Sequence, residues 1–215
     1  MQIDNLVVTF FNLTMKRTQI PSSNRPILKT ILVGNTGVGK TCLISSSFKN
    51  AFETKSNPTV APSYNFTDIV NCDKVSVRLQ IWDTAGQERY VSVSQLFFRD
   101  SDIAFVCFDS CDKESFDGIN NWVSRVHDEV PSCKLFYVIT KSDLHTPQEI
   151  DEMLEKAVNF LGPENREKIF VTSAKNRTGI DEIFLSAANS YTTPHPQATS
   201  KVNIDEKSEK SGCAC

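Results

Sequence analysis

The stretch GNTGVGKT, Gly34–Thr41, has the spacing Gly-x4-Gly-Lys-Thr of a phosphate-binding loop, and it decides the fold. Gly37 and Gly39 carry no Cβ atom, so backbone N–H groups can wrap closely around phosphate oxygens. The run ILKTILV (27–33) predicts a buried strand before the loop, and residues 39–48 predict a helix after it. A chance glycine-rich turn is the alternative, but the strand–loop–helix order is the context that phosphate binding requires.

The residues of this loop predict a nucleotide site with a magnesium ion. The helix that starts here would direct its positive end toward the anion. Lys40 would reach the β and γ phosphates, and the Thr41 hydroxyl would bind Mg²⁺. The residues predicted to contact the nucleotide in this stretch are Asn35, Thr36, Gly37, Val38, Gly39, Lys40, Thr41 and Cys42.

Strands and helices alternate along the rest of the chain. Apolar or alternating runs predict strands at 66–70, 75–82, 102–109, 134–140 and 168–173, and helical spacing predicts helices at 115–130, 146–161 and 179–191. The helix at 146–161 opens with Thr146 as N-cap, Pro147 at its first position and Glu149 completing a capping box. This order predicts an α/β fold with a six-stranded, mainly parallel sheet and an antiparallel pair at one edge.

A second motif, DTAGQ, begins where the strand at 75–82 ends. Asp83 could reach Mg²⁺ through a water molecule. The absence of a side chain at Gly86 would let its N–H turn toward a γ-phosphate, and Gln87 could orient an attacking water. In isolation this spacing is also that of a common turn, but the two motifs together, in this order, favour nucleotide hydrolysis.

With both motifs present, the chain resembles the small GTPases of the Ras superfamily over roughly residues 27–190. The resemblance implies a P-loop GTPase fold (a G domain) with about five helices around the sheet. Counting from Lys40, it places an aromatic residue of the first switch at Phe52, against the guanine face. It places a threonine that contacts Mg²⁺ and γ-phosphate at Thr59. A core aromatic and an ordinary loop threonine beside Pro58 are the alternatives.

The resemblance also implies a guanine site in TKSD (140–143) and TSAKN (172–176). Asp143 would accept hydrogen bonds from guanine N1 and N2, a donor pair that adenine lacks. The N–H of Ala174 would meet guanine O6, and the stem of Lys141 would pack along the loop and the base. The remaining residues assigned to this site are Thr140, Ser173 and Lys175.

Thr140 stands where the family usually has Asn. The family Asn mostly ties this loop to the phosphate loop, and Thr140 keeps a hydroxyl for that purpose but has less reach. The Rho branch carries the same Thr and binds guanine nucleotides, so Thr140 does not argue against GTP. Rho proteins insert an extra helix between the two base motifs, and the interval from Asp143 to Ser173 is too short to hold it.

The C-terminal sequence CAC is similar to the double-prenylation ending of Rab proteins, with Cys213 and Cys215 as the lipidated residues. A metal-binding pair and a chance occurrence are the alternatives. One lipid chain binds membranes marginally whereas two anchor stably. Residues 201–210 balance lysines with acids, so no polybasic patch supplies a second membrane signal.

Other segments also resemble the Rab branch. LFFRDSDIAFVCFD and ESFDGINNWVSRV match its second-switch region and the helix after its fourth strand. Tyr64, Trp82 and Phe97 match the aromatic trio through which Rab switches meet effectors, although core packing would also explain these residues. The first switch departs from the Rab pattern, because it reads TVAPSY and Pro62 removes a backbone donor. Because of this departure, the sequence does not identify the effector.

The composition fits one domain with tails. The chain has 215 residues, of which 40% are hydrophobic and 23% charged, and a net charge of −3 gives no basic field for nucleic acid. Its seven cysteines are scattered without a CxxC pair, which argues against zinc. The predicted organisation is a variable N-terminal extension (1–26), a GTPase domain (27–191) and a flexible tail with the prenylation motif (192–215).

The predicted function is that of a Rab-like GTPase that binds GTP or GDP with Mg²⁺ and hydrolyses GTP slowly. It would act at the cytoplasmic face of an intracellular membrane, attached by its C-terminal lipids and cycling with the cytosol. The implied partners are an exchange factor, a GTPase-activating protein, a prenyl-Rab chaperone and effectors. A nucleotide-gated scaffold with negligible hydrolysis is one alternative. A P-loop kinase is another, but it leaves DTAGQ, TKSD and TSAK unexplained.

Overall fold

The computed structural model describes residues 25–49, 63–83 and 97–192. Six strands and five complete α-helices lie within these ranges. Their bounds, in chain order, are β1 Ile27–Val33, α1 Lys40–Lys49, β2 Ser63–Val70, β3 Ser76–Asp83, β4 Ile103–Asp109, α2 Lys113–Asp117, α3 Ile119–Glu129, β5 Lys134–Thr140, α4 Pro147–Leu161, β6 Ile169–Val171 and α5 Ile180–Asn189. Short 3-10 helices occupy Ser142–Leu144 and Pro163–Lys168.

The strands form one sheet in the order β2-β3-β1-β4-β5-β6. β2 pairs antiparallel with β3, and the other four pairings are parallel. The predicted α/β fold, a six-stranded and mostly parallel sheet with one antiparallel edge strand, is therefore confirmed. All seven residues of the central strand β4 are buried, as expected for a parallel strand that is covered by helices on both faces.

Successive side chains of a strand point to opposite faces, so the sheet separates two hydrophobic cores. Leu32 of β1 and Phe105 of β4 pack with Phe184 in the core under α1 and α5. The neighbouring Ile31 lies in the other core with Trp122, under α2, α3 and α4. Burial of each such side chain contributes about 1.5–3 kcal/mol, and the two cores hold the strand ends in fixed positions.

The single helix predicted at 115–130 is wrong, because the chain forms two helices that meet at Gly118. Gly118 ends α2 by donating its N–H to the Glu114 carbonyl, and its own carbonyl accepts from Trp122 at the start of α3. A Cβ atom at Gly118 would lie 3.4 Å from Oδ1 of Asn35. The apolar spacing continues across this break, so helical periodicity alone did not indicate it.

The remaining elements lie within a few residues of their predicted positions. β5 has the predicted bounds, and α4 begins with the predicted capping box between Thr146 and Glu149. β2 is longer than predicted, because its pairing with β3 extends from Ser63 to Val70. β6 is shorter than predicted, since Ser173 leaves the sheet and bridges to Thr178. None of the helices in the described ranges has the length and apolar character needed to cross a bilayer.

A charged group lies at the edge of the sheet. Asp68 of β2 accepts hydrogen bonds from Arg78 of β3 at 2.8 and 3.0 Å, and it also pairs with Arg25. The Arg78 guanidinium holds the pKa of Asp68 below its ordinary value. Arg78 also stacks over the ring of Phe66, 4.9 Å from the ring centre.

Candidate nucleotide-binding site

The predicted site residues within the described ranges gather at one edge of the sheet. The phosphate loop follows β1, Asp83 ends β3 and Thr140 ends β5. The carboxyl ends of parallel strands meet at one edge, which is where α/β proteins bind ligands. Six predicted residues lie outside the described ranges: Phe52, Thr59, Gly86, Gln87, Cys213 and Cys215.

The loop between β1 and α1 is shaped by three glycines, with φ of 141° at Gly34, 80° at Gly37 and 98° at Gly39. Such positive angles are readily adopted only by glycine. Lys40 begins α1 and is only 5% exposed. Its ammonium donates to the carbonyls of Gly34 and Asn35 at 2.7 and 2.8 Å. The cation is therefore held by the loop whose N–H groups would receive a phosphate.

The other residues of the loop differ in exposure. Thr36 is exposed, and Cys42 on α1 is half-buried. Val38 is 1% exposed and its side chain packs in the core under α1, so its backbone is what it can offer to a ligand. The side-chain oxygen of Asn35 accepts a 2.8 Å hydrogen bond from Trp122 Nε1. This contact fixes the loop against α3, and nothing in the spacing of the sequence motifs indicated it.

Asp83 and Thr41 form a group that fits a magnesium ion. Asp83 is 2% exposed and accepts a hydrogen bond from the Thr41 side chain. Burial raises the pKa of Asp83, while this hydrogen bond and the charge of Lys40 act in the opposite direction. Oδ1 of Asp83 has no hydrogen-bond partner among the described residues. A buried, unsatisfied carboxylate oxygen beside a hydroxyl is a donor set that Mg²⁺ accepts.

The two predicted base motifs meet at Asp143. Its side chain is 8% exposed, and its Oδ1 accepts a 2.6 Å hydrogen bond from the hydroxyl of Ser173. The ammonium of Lys175 lies 3.6 Å from Oδ2 of Asp143. The Ser173 hydroxyl also accepts from the N–H of Asn176 at 3.1 Å. The carboxylate is thus oriented by the second motif, as a role in base binding would require.

Lys141 crosses from the first base motif toward the phosphate loop. Its backbone is left-handed, with φ of 60°, an uncommon conformation for a residue with a side chain. Its ammonium pairs with Oδ2 of Asp109 at 2.6 Å. A Cβ atom built on Gly39 would lie 4.0 Å from its Cε atom. The sequence motifs did not predict a role for Asp109. The signal that could have indicated it is an acidic residue at the end of the buried strand β4.

Thr140 joins the base motif to the phosphate loop. Its hydroxyl lies 2.6 Å from the carbonyl oxygen of Val38, to which it donates, and 3.1 Å from that of Phe108. Thr140 is buried, so this bond is shielded from water. The tie between the two loops, which the resemblance assigned to an Asn, is made here by a threonine.

The predicted aromatic trio is brought together beside the sheet edge. The ring centres of Tyr64 and Trp82 lie 5.2 Å apart, and those of Trp82 and Phe97 lie 5.9 Å apart. Tyr64 is 59% exposed, and Phe66 is also exposed on the same face of β2. The trio therefore presents an apolar surface, and Tyr64 is the part most open to a partner.

Comparisons with known proteins match the part of the chain that holds this site. A family model described as the Ras family matches residues 29–193. The Ras-related protein Rab-4 of Dictyostelium discoideum is 33% identical over 168 residues, covering 78% of this chain and 80% of the relative. Rab-8B of Pongo abelii is 31% identical, with 78% and 79% covered. Rab-13 of Canis lupus familiaris is 30% identical, with 75% and 78% covered.

Proposed function

Because the chain belongs to the Ras family and is a small GTPase of its Rab branch, we propose that it is a membrane-attached switch in vesicle traffic. One observation carries the nucleotide part of the proposal. The phosphate loop, the turn at Asp143 and the loop at Ser173 are joined by buried or nearly buried hydrogen bonds at one edge of the sheet. A guanine nucleotide is the ligand whose phosphates and base suit those three segments together.

Different described residues bind the phosphates and the base. The phosphate loop from Asn35 to Cys42 receives the phosphates, with Lys40 as the cation. Asp143 accepts from guanine N1 and N2, the N–H of Ala174 meets O6, and Lys141 packs beside the base. Thr140, Ser173 and Lys175 hold these groups in place.

Magnesium would be held by Thr41 and Asp83, joined by Thr59. When bound it neutralises charge on the β and γ phosphates. Thr59 and Gly86 would contact the γ-phosphate, so its removal releases both switches. Phe52 would lie against the guanine face. An activating protein would supply an arginine finger, worth roughly 10³–10⁵ in rate.

Gln87→Leu is expected to slow intrinsic GTP hydrolysis by roughly 10²-fold, because leucine can neither donate to nor accept from the attacking water. GTP affinity should stay within about twofold, since the side chain does not hold the ground-state nucleotide. Single-turnover hydrolysis and equilibrium binding measure the two quantities. Gln80→Leu makes the same chemical change on β3, outside the site, and should hydrolyse GTP as the wild type does. An unchanged rate in Gln87→Leu would remove Gln87 from this role.

The tail, residues 192–215, would attach the GTPase domain (27–191) to the cytoplasmic face of an intracellular membrane. Two prenyl groups on Cys213 and Cys215 would serve as the anchor, and a prenyl-binding chaperone would return the protein to the cytosol. The aromatic trio, with Tyr64 as its exposed member, is the surface offered to effectors in the GTP state, and an exchange factor would reload the nucleotide. Two observations support this proposal: the chain belongs to the Rab branch, and residues 201–210 contain no polybasic patch that could serve as a second membrane signal.

Replacing both tail cysteines by serine is expected to move the protein from the membrane fraction to the cytosol. Each single variant keeps one lipid, and its membrane binding should fall by at least about 10²-fold, because one chain binds only marginally. Fractionation of cells that express each variant measures the distribution. Cys72→Ser removes an exposed thiol from the folded domain and is the matched control. Single variants that stay as firmly bound as the wild type would contradict double lipidation.

A further inference from the structure

α1 contains three consecutive serines, Ser45–Ser47, and only the middle one is buried. Serine is a weak helix former, since its hydroxyl competes for backbone partners in other conformations. Ser46 is 1% exposed, whereas Ser45 and Ser47 are half-buried. The Ser46 hydroxyl donates to the carbonyl of Ala174 at 2.7 Å, across 128 positions of the chain. The helix that begins with Lys40 is thereby bonded to the second base motif.

The loop around Ala174 is closed by its own hydrogen bonds, but these lie on either side of that residue. Ser173 and Thr178 exchange two backbone bonds of 3.0 and 3.1 Å, and Asn176 donates its N–H to the Ser173 hydroxyl. The carbonyl of Ala174 is held by Ser46 on α1 instead. The Ala174 N–H shares its peptide plane with the Ser173 carbonyl, which Thr178 holds, and the bond from α1 holds the next peptide plane. The backbone is therefore restrained on both sides of the Ala174 Cα atom.

We propose that Ser46 is a positioning residue for the recognition of 6-oxopurine nucleotides. By holding the peptide plane after Ala174, it completes the restraint that Thr178 exerts on the plane before it, so that the Ala174 N–H stays aimed at the oxygen on C6 of the base. This inference rests on the proposed guanine site. It adds a residue of the phosphate-loop helix to base discrimination, a role that neither base motif contains. A buried hydroxyl that only satisfied its own hydrogen-bonding need would support the fold without regard to which base is bound.

Three diphosphates with different bases separate the two roles. GDP has the C6 oxygen, the N1–H and the C2 amino group. Inosine diphosphate lacks only the amino group, and 2-aminopurine riboside diphosphate lacks the oxygen and the N1–H. For the full chain carrying Ser46→Ala, affinity for GDP and inosine diphosphate should fall roughly three- to tenfold, the size of one net hydrogen bond. Affinity for the 2-aminopurine nucleotide should stay within about twofold. Competition binding measures all three.

Matched variants sharpen this experiment. Ser45→Ala and Ser47→Ala remove neighbouring hydroxyls from the same helix and should bind all three nucleotides as the wild type does. Ser46→Cys keeps nearly the same volume but only a weak S–H donor. It should show the same base dependence in a protein that folds even where the alanine variant does not.

The possible results have distinct meanings. An equal loss for all three nucleotides, or no loss in either Ser46 variant, would overturn the positioning role. Such a result would leave the proposed function intact if the wild type still prefers GDP over the 2-aminopurine nucleotide. A wild type without that preference would overturn the guanine site itself, and with it this inference.

Discussion

Asp143→Asn is expected to reverse base preference from guanine to xanthine nucleotides, changing the ratio of their affinities by roughly 10⁴. In the proposed site, the carboxylate of Asp143 accepts from two N–H donors of guanine. An asparagine amide would place its NH₂ against the guanine amino group, whereas in xanthine that position is a carbonyl oxygen that accepts from it. Competition binding with GDP and xanthosine diphosphate measures the ratio.

The structure indicates that this substitution preserves the fold. The amide oxygen of asparagine can still accept the bond from the Ser173 hydroxyl. The pair with Lys175 is lost, but its atoms lie 3.6 Å apart and the lysine side chain is mostly exposed, so it contributes little. Thr140→Asn is the matched control, and it should keep the preference for GDP. If Asp143→Asn lowered the affinity for both nucleotides equally, the carboxylate would not be the group that distinguishes the bases.

Gly34→Ala is expected to destabilise the protein by about 3–5 kcal/mol, a large part of the stability of an ordinary domain. A Cβ atom at Gly34 would lie 2.2 Å from the backbone carbonyl oxygen of Cys107 on β4. The φ of 141° adds strain of about 1–3 kcal/mol for any residue but glycine. Relief requires β1 and β4 to separate at the centre of the sheet. Denaturant unfolding of the nucleotide-free protein measures the loss.

Gly37→Ala is the control that separates the steric clash of the added Cβ atom from the strain of a positive φ. Its φ of 80° is also unfavourable for alanine, but a Cβ atom there would have no heavy atom of the described structure within 4 Å. We expect a loss of only about 1–2 kcal/mol. Equal losses at the two positions would mean that the contact with Cys107 is easily relieved and that β1 and β4 are not rigidly packed at this point.

Local sequence patterns predicted the features that depend on local physics. The capping box at Thr146 and the bounds of β5 involve residues close together in the chain, and both are present. The break at Gly118 was missed because apolar spacing continues through it, and the atoms that crowd a side chain there, the Glu114 carbonyl oxygen and the Asn35 side chain, are evident only in the folded structure. Contacts between segments that are far apart in the chain produce no periodic pattern in the sequence, so the sequence did not predict them.

In the candidate site, too, residues within local motifs were predicted, whereas residues that act through long-range contacts were not. The motif residues were recognisable because each lies within a short contiguous motif or at a counted interval from Lys40. Asp109, which pairs with Lys141, and Ser46, which holds Ala174, belong to no motif. Their roles arise only when β4, β5 and α1 are brought together, because the partners are separated by 32 and 128 positions.

The charged group on β2 bears on how the molecule behaves at high concentration. A sheet that ends in an eight-residue strand offers unpaired backbone groups to another copy, which is a route to aggregation. Asp68, held between Arg25 and Arg78, places fixed charges along that strand. Another strand could add there only by burying these charges. We therefore expect the ion-pair group to protect the solubility of the protein while leaving the aromatic surface at Tyr64 free.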